Sequence, residues 1–168
     1  SLPALSWRAE SFGREQTVRL ILERNLDLAF LFDPPKVDEM QVEKLGMIRL
    51  LPVTTFEQNT AEYAMQQHYI FVDWGTSFHI QHAQNFPELP PPSLRTGNAR
   101  IALGMILQNG GSAYLPEMMV QSLLENGQLR LISDAPVIAR EVYAAALHKT
   151  PSAGLVQQII HEVQQLLA

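Results

Sequence analysis

Thr76 and Ser77 follow a glycine that ends an apolar run, in the stretch FVDWGTSFHIQHAQ at residues 71–84. Hydroxyl residues where a strand gives way to a helix can meet a carboxylate or phosphate. The first-turn N–H groups there have no acceptor within the helix, and the helix dipole adds partial positive charge. Gly75 would allow close approach to the backbone, and Trp74 could wall an apolar part of a ligand. A second reading needs no ligand: Thr76 or Ser77 caps its own helix, and Trp74 fills the core. His79 and His82 stand three apart on one helical face, so both imidazoles could reach one metal ion, with Asp73 or His68 as further ligands. HIQH lacks the glutamate of the HExxH pattern and a third ligand at fixed spacing, so neither metal nor cofactor is expected.

Other chemistry is thinly supported. There is no cysteine, no GxSxG elbow, no GxGxxG spacing in GNARIALG and no P-loop in LQNGG. Ser77 with His79 is only a nearby pair, and Asp33, Asp38 and Glu39 read as a solvated acidic loop. The chain is therefore not expected to be an enzyme. Twelve basic against seventeen acidic residues give a net charge of -5, which disfavours binding to a phosphate backbone. No apolar run is long enough to cross a membrane, and SLPALSWRAE lacks the layout of a secretory signal. A reducing, cytoplasmic setting suits a chain without cysteine.

The elements that must position these residues alternate. ALSWRAE reads as a strand, SFGREQTVRLILERN as a helix, and LDLAFLF as a strand buried on both faces of a parallel sheet, together a β-α-β unit. MIRLLPVTT reads as a strand interrupted by Pro52, which points to an edge or a crossing between lobes. YIFVDW, TSFHIQHAQ, SLRTG and NARIALGMILQNG then read as strand, helix, strand, helix, with FPELPPPS a rigid loop. SAYLP is a buried strand, PEMMVQSLLENG a helix with Pro116 at its start and Gly127 past its end, and QLRLI and EVYAAALH are strands. TPSAGLVQQIIHEVQQLLA closes the chain as an amphipathic helix capped by Thr150. The alternation implies an α/β fold with mostly parallel sheet.

Several of these phrases resemble the effector-binding domain of LysR-type transcriptional regulators: LILERNLDLAFLFDPP, YIFVDWGTSF, REVYAAALHK and, most specifically, ALGMILQNGGSAYLPEMMVQSLLENGQLRLI. DPPKVDEM and DWGTSF resemble the branch that contains the enterobacterial flagellar-operon regulator. The resemblance implies two Rossmann-like lobes joined by two crossing segments, similar to type 2 periplasmic binding proteins. Lobe I would be 1–50 and 141–168, and lobe II 51–140. It also implies a fragment, since the family's N-terminal winged helix-turn-helix, linker helix, and first strand and helix are not seen in this sequence. The expected function is to sense a small effector in the interlobe cleft, as a homodimer or homotetramer that meets DNA only through the absent N-terminal domain. Ligands in open α/β sheets gather at the carboxyl ends of parallel strands. This selects Glu10 and Ser11 with Phe32 and Asp33 on one side, and Trp74, Gly75, Thr76, Ser77, Phe78, Thr96, Gly97 and Asn98 on the other. Glu10 and Asp33 favour an amino-acid-like or mixed-polarity ligand over a dicarboxylate. A solute-binding protein of transport and a small hydrolase are the alternatives.

Overall fold

The computed structural model describes residues 4–168, and the expected lobe I begins with three residues outside that range. The chain forms two compact units, one of residues up to Met47 with Glu141–Ala168, the other Ile48–Arg140.

In the first unit α1 (Arg14–Leu22) buries Thr17 and Ile21, and the Thr17 hydroxyl donates to the Gly13 carbonyl at 2.9 Å. It ends with Arg24 N–H on the Ile21 carbonyl (3.0 Å) and Asn25 N–H on that of Leu20 (2.9 Å). This double closure places Arg24 in the left-handed region at φ 62, where glycine is usual and an L-residue costs about 1–2 kcal/mol.

β1 (Ala29–Leu31) pairs antiparallel with β7 (Ile138–Leu147), Ala29 opposite Ala145. The expected strand LDLAFLF is thus shorter than its apolar run and not buried on both faces. Ala29 joins Ile21, Met40 and Ala145 in a core, while the alternation of the pleat turns Phe30 outward, 52% exposed. ALSWRAE is not a strand: residues 4–10 are exposed and no described strand pairs with them, so its backbone groups lack the ladder that would hold them extended. The expected β-α-β unit loses its first strand. β2 (Met40–Thr54) is longer than anticipated and, like β7, runs through the boundary between the units. α6 (Ala153–Leu167) sets Val156 and Ile160 against Leu45, Ala144 and Ala146. Its cap is Ser152, not Thr150; the Thr150 carbonyl accepts from Ala153 N–H at 3.2 Å, and its hydroxyl from Ser152 N–H at 3.3 Å, which leaves Pro151 in the preceding turn.

In the second unit β5 (Ser112–Pro116) and the short β6 (Arg130–Leu131) both pair antiparallel with β2. Pro52 sits inside β2 opposite Tyr114, and its carbonyl accepts from Ile132 N–H at 2.9 Å. A strand residue's N–H and C=O share one edge, so the missing N–H falls on the Ile132 side, beside the start of the β6 pairing, and not on the β5 ladder. β3 (Ile70–Val72) and β4 (Leu94–Thr96) pair in parallel, and Tyr69 makes a parallel bridge to Ser112. Parallel pairing is therefore narrower than the alternation suggests. α3 (Thr76–Asn85) follows β3 and α4 (Ala99–Asn109) follows β4, as expected. α5 (Glu117–Glu125) follows β5, and a one-turn α2 (Ala61–Ala64), too short to announce itself by periodicity, precedes β3. Among the described residues no helix is long and apolar enough to cross a membrane.

A buried polar knot ties this unit together. The Ser112 hydroxyl lies 2.7 Å from the Ala64 carbonyl and 2.8 Å from the Thr54 hydroxyl, with Thr54 and Ser112 both fully buried. Gly111 N–H donates to the Thr55 hydroxyl at 2.8 Å, and its carbonyl accepts from Thr55 N–H at 3.0 Å. At φ 152 a Cβ on Gly111 would stand 2.4 Å from the His68 carbonyl oxygen. Gly111→Ala is accordingly expected to destabilise the chain by about 2–4 kcal/mol in urea unfolding; a loss below about 0.5 kcal/mol would mean the knot relaxes freely.

Candidate functional site

The end of β3 and the start of α3 form one continuous turn. Asp73 accepts from Gly75 N–H through Oδ1 at 2.9 Å, which closes a tight Asx turn, and Gly75 takes φ 89 as the residue before the helix. Because Gly75 has no side chain, the N-cap of α3 supplies no side-chain oxygen to the first turn, while its carbonyl accepts from His79 N–H at 3.1 Å. Thr76 is exposed at the first helical position, and Ser77 is half-buried. The Ser77 hydroxyl accepts from Gln81 Nε2 at 3.1 Å, which leaves its own proton for a further acceptor. Ser77 thus does not cap the helix, which sets aside half of the ligand-free reading.

The apolar candidates face inward. Trp74 is 8% exposed and its indole N–H donates to the Tyr114 carbonyl at 3.0 Å, while Phe78 is 0% exposed against the Tyr114 ring. Phe78, expected among the effector-binding residues, is instead buried beneath the turn as a support. The charged surroundings are Asp73, whose Oδ1 lies 3.3 Å from His79 Nε2, and Arg95, whose guanidinium lies 4.9 Å from the centre of the Phe71 ring. The D-x-G spacing was the signal for the Asp73 turn; Arg95 had none, because its contact with Phe71 depends on the strand register.

Parallel pairing of Val72 with Thr96 brings the two helix starts side by side, and Asp73 N–H donates to the Thr96 carbonyl at 3.0 Å. Trp74 to Ser77 and Thr96 to Asn98 are thereby gathered at the carboxyl ends of two parallel strands. Their chemistry differs. Asn98 Oδ1 accepts from Arg100 N–H at 2.9 Å and Ile101 N–H at 3.3 Å, and the Thr96 hydroxyl accepts from Asn98 N–H at 3.0 Å. The oxygens of Asn98 and Thr96 therefore serve their own turn, and the N-cap side chain closes α4 where the N-cap glycine of α3 has none to offer. Gly97 is exposed, with open space where a Cβ would stand.

The two histidines do not converge. His79 lies on the surface with Asp73, whereas His82 is 9% exposed and its Nε2 lies 2.7 Å from the Tyr69 hydroxyl. Burial holds the Tyr69 hydroxyl well above its ordinary pKa, so it stays protonated and donates to a neutral His82. Burial, with His79 and Arg95 nearby, pushes His82 down to about 4. Among the described residues no group of three or more His, Asp or Glu is placed to hold a metal ion.

In the first unit, Glu10 is exposed and paired with Arg8 at 2.8 Å, and Ser11 is exposed beside it. Phe32 and Asp33 are half-buried at the end of β1, and Arg14 Nε donates to the Asp33 carbonyl at 2.7 Å. That contact fastens the start of α1 to the end of β1, a role for Arg14 that its place in a polar helix start did not signal.

The chain is thus built of two α/β units, the second with two helix starts gathered at the ends of parallel strands. The chain belongs to the LysR substrate binding domain family, whose model matches residues 1–168. It is 31% identical over 156 residues to proteins named HTH-type transcriptional regulator HdfR from Yersinia pestis (strain Pestoides F) and Yersinia pseudotuberculosis serotype O:1b, a match covering 88% of this chain. It covers 52% of those relatives, so the chain spans about half their length. The regulatory domain of HypT from Salmonella typhimurium shares the fold with a TM-score of 0.78 at 17% identity, over 96% of this chain and 84% of that one. Full-length LysG from Corynebacterium glutamicum with bound effector Arg gives 0.66 at 16% identity, over 94% and 57%. Vibrio fischeri DarR in complex with DNA gives 0.67 at 19%, over 92% and 56%.

His82 offers a test of the packing under this site. Its folded pKa lies below the unfolded value of 6.5, so its contribution is fully present above pH 6.5 and is lost as pH falls toward 4. The loss at pH 5 should be about 2 kcal/mol. Urea unfolding across this range should show a shallower pH slope for His82→Gln than for the parent; equal slopes would mean that His82 protonates freely in the fold.

Proposed function

We propose that this chain is the ligand-sensing and oligomerisation domain of a LysR-type transcriptional regulator, with a small effector seated on the start of α3. The observation that carries the reading is the contrast between the two helix starts: the Asn98 side chain closes α4, while α3 begins at a glycine and the Ser77 hydroxyl, an acceptor from Gln81, keeps its proton for a further partner. The first-turn N–H groups of α3 and the Ser77 hydroxyl would donate to a carboxylate or carbonyl. Asp73, exposed at the same turn, disfavours a purely anionic ligand and would accept from an ammonium or hydroxyl. The effector class is therefore a small molecule of mixed polarity, such as an amino acid. Thr76, Gly75 and the exposed edge at Gly97 complete the seat, and Trp74 holds it against β5.

The proposed output is regulatory and non-enzymatic. An effector shifts an equilibrium between two conformations only by its difference in affinity for them. The working form is a cytoplasmic homodimer or homotetramer that reaches DNA through a separate helix-turn-helix domain, supported by relatives named HTH-type regulators and by the DNA-bound neighbour. The same relatives favour this reading over a transport solute-binding protein or a hydrolase.

Thermal unfolding against amino acids, carboxylates and aromatic acids tests the seat. A ligand at 100 times its dissociation constant adds about 2.7 kcal/mol, a rise of several degrees for a chain of this size. Ser77→Ala should cut the rise by lowering affinity about tenfold. A rise that Ser77→Ala and Thr76→Ala leave intact would move the effector elsewhere.

A further inference from the structure

The first unit holds two dissimilar hollows. One, under α6 near Gln157, has a volume of about 40 Å³, room for about a single water. The other measures about 370 Å³, within the range of small-molecule sites, about 300–1,000 Å³. Its walls are the end of α1, the loop before β2 and the segment after β7. Two hydrogen bonds fasten these walls to one another: His148 N–H donates to the Glu39 carbonyl at 3.1 Å, and Arg24 Nη1 donates to the Lys149 carbonyl at 3.3 Å.

The lining is chemically divided. Arg24 and Lys149 bring two cations, Asp38 and Glu39 two carboxylates, and Leu22 and Leu147 an apolar strip. Arg24 bonds Lys149 through one terminal nitrogen, and a guanidinium has five N–H donors, so a fork remains for a carboxylate. Its backbone adds an independent observation. Arg24 stands at φ 62, the position after α1 where glycine would make the same closing bonds without strain. The residue present therefore sacrifices stability and contributes a guanidinium to the wall of a hollow, the trade-off expected of a functional side chain.

We infer that this hollow is a second small-molecule site, distinct from the α3 start, that takes a zwitterionic α-amino acid with a short aliphatic side chain. Its carboxylate meets Arg24 and Lys149, its ammonium meets Asp38 and Glu39, and its hydrocarbon lies on Leu22 and Leu147.

The test uses the whole chain with L-leucine, leucinamide and 4-methylpentanoate as probes, followed by calorimetry and by amide shifts. Leucine should bind saturably and shift the amides of Arg24, Glu39 and Lys149, and each probe lacking one charge should bind about tenfold more weakly or worse. Arg24→Gly should raise the melting temperature by a few degrees while lowering leucine affinity about tenfold or more. Ser77→Ala should leave leucine binding at this hollow unchanged, which separates the inference from the α3 seat. No saturable binding up to about 50 mM overturns the proposal. So does an Arg24→Gly chain that binds leucine as the parent does, or one that melts lower than the parent.

Discussion

The contact on which most of the second unit depends is the approach of Gly111 and Ser112 to β2 and to the His68 carbonyl. It lets β5 lie against Thr54 and Thr55, with the hydroxyls of Thr54 and Ser112 satisfied inside the core. Once β5 is fixed, the Tyr114 carbonyl is in place to receive the Trp74 indole, and the Tyr114 ring to receive Phe78. The exposed start of α3 is thus held from below by buried aromatic packing. As the proposed effector seat, this start would be preorganised, because the core beneath it is already packed before a ligand arrives.

The same packing explains the division of labour between two adjacent helix starts. Both follow parallel strands, and both begin one turn after an Asx- or Thr-type closure. Asn98 spends its side chain on its own helix and makes α4 a structural anchor. Gly75 has no side chain with which to do this, and Asp73 is engaged by the Gly75 N–H and by His79. In the proposed function this asymmetry is what would direct recognition to α3, and the nearby carboxylate what would favour mixed polarity.

Much of the second unit was legible in the chain because its signals are local. Gly75, Asn98, the Gly110-Gly111 pair and Gly127 mark where helices start and stop, and these positions match the observed ends of α3, α4 and α5. What was not legible depends on pairing across the chain. The burial of Phe30 and the state of residues 4–10 depend on which strands lie alongside, which an apolar run does not encode. The roles of Phe78, Thr96 and Asn98 likewise required coordinates, since a residue type consistent with binding is equally consistent with support or capping. Arg24 is the converse case: as one of several charged residues near a helix end it gave no signal, and only its backbone angle sets it apart.

The start of α3 is proposed as a ligand seat and not simply a helix end. Backbone amide mapping by two-dimensional NMR, with the chain titrated against single amino acids and simple carboxylates, reads that directly. At least one probe of mixed polarity should move the Thr76, Ser77 and Phe78 amides along a saturable curve, while the capped Arg100 and Ile101 amides stay nearly still. Saturable shifts that spare Thr76 to Phe78, for every probe that binds, would contradict it.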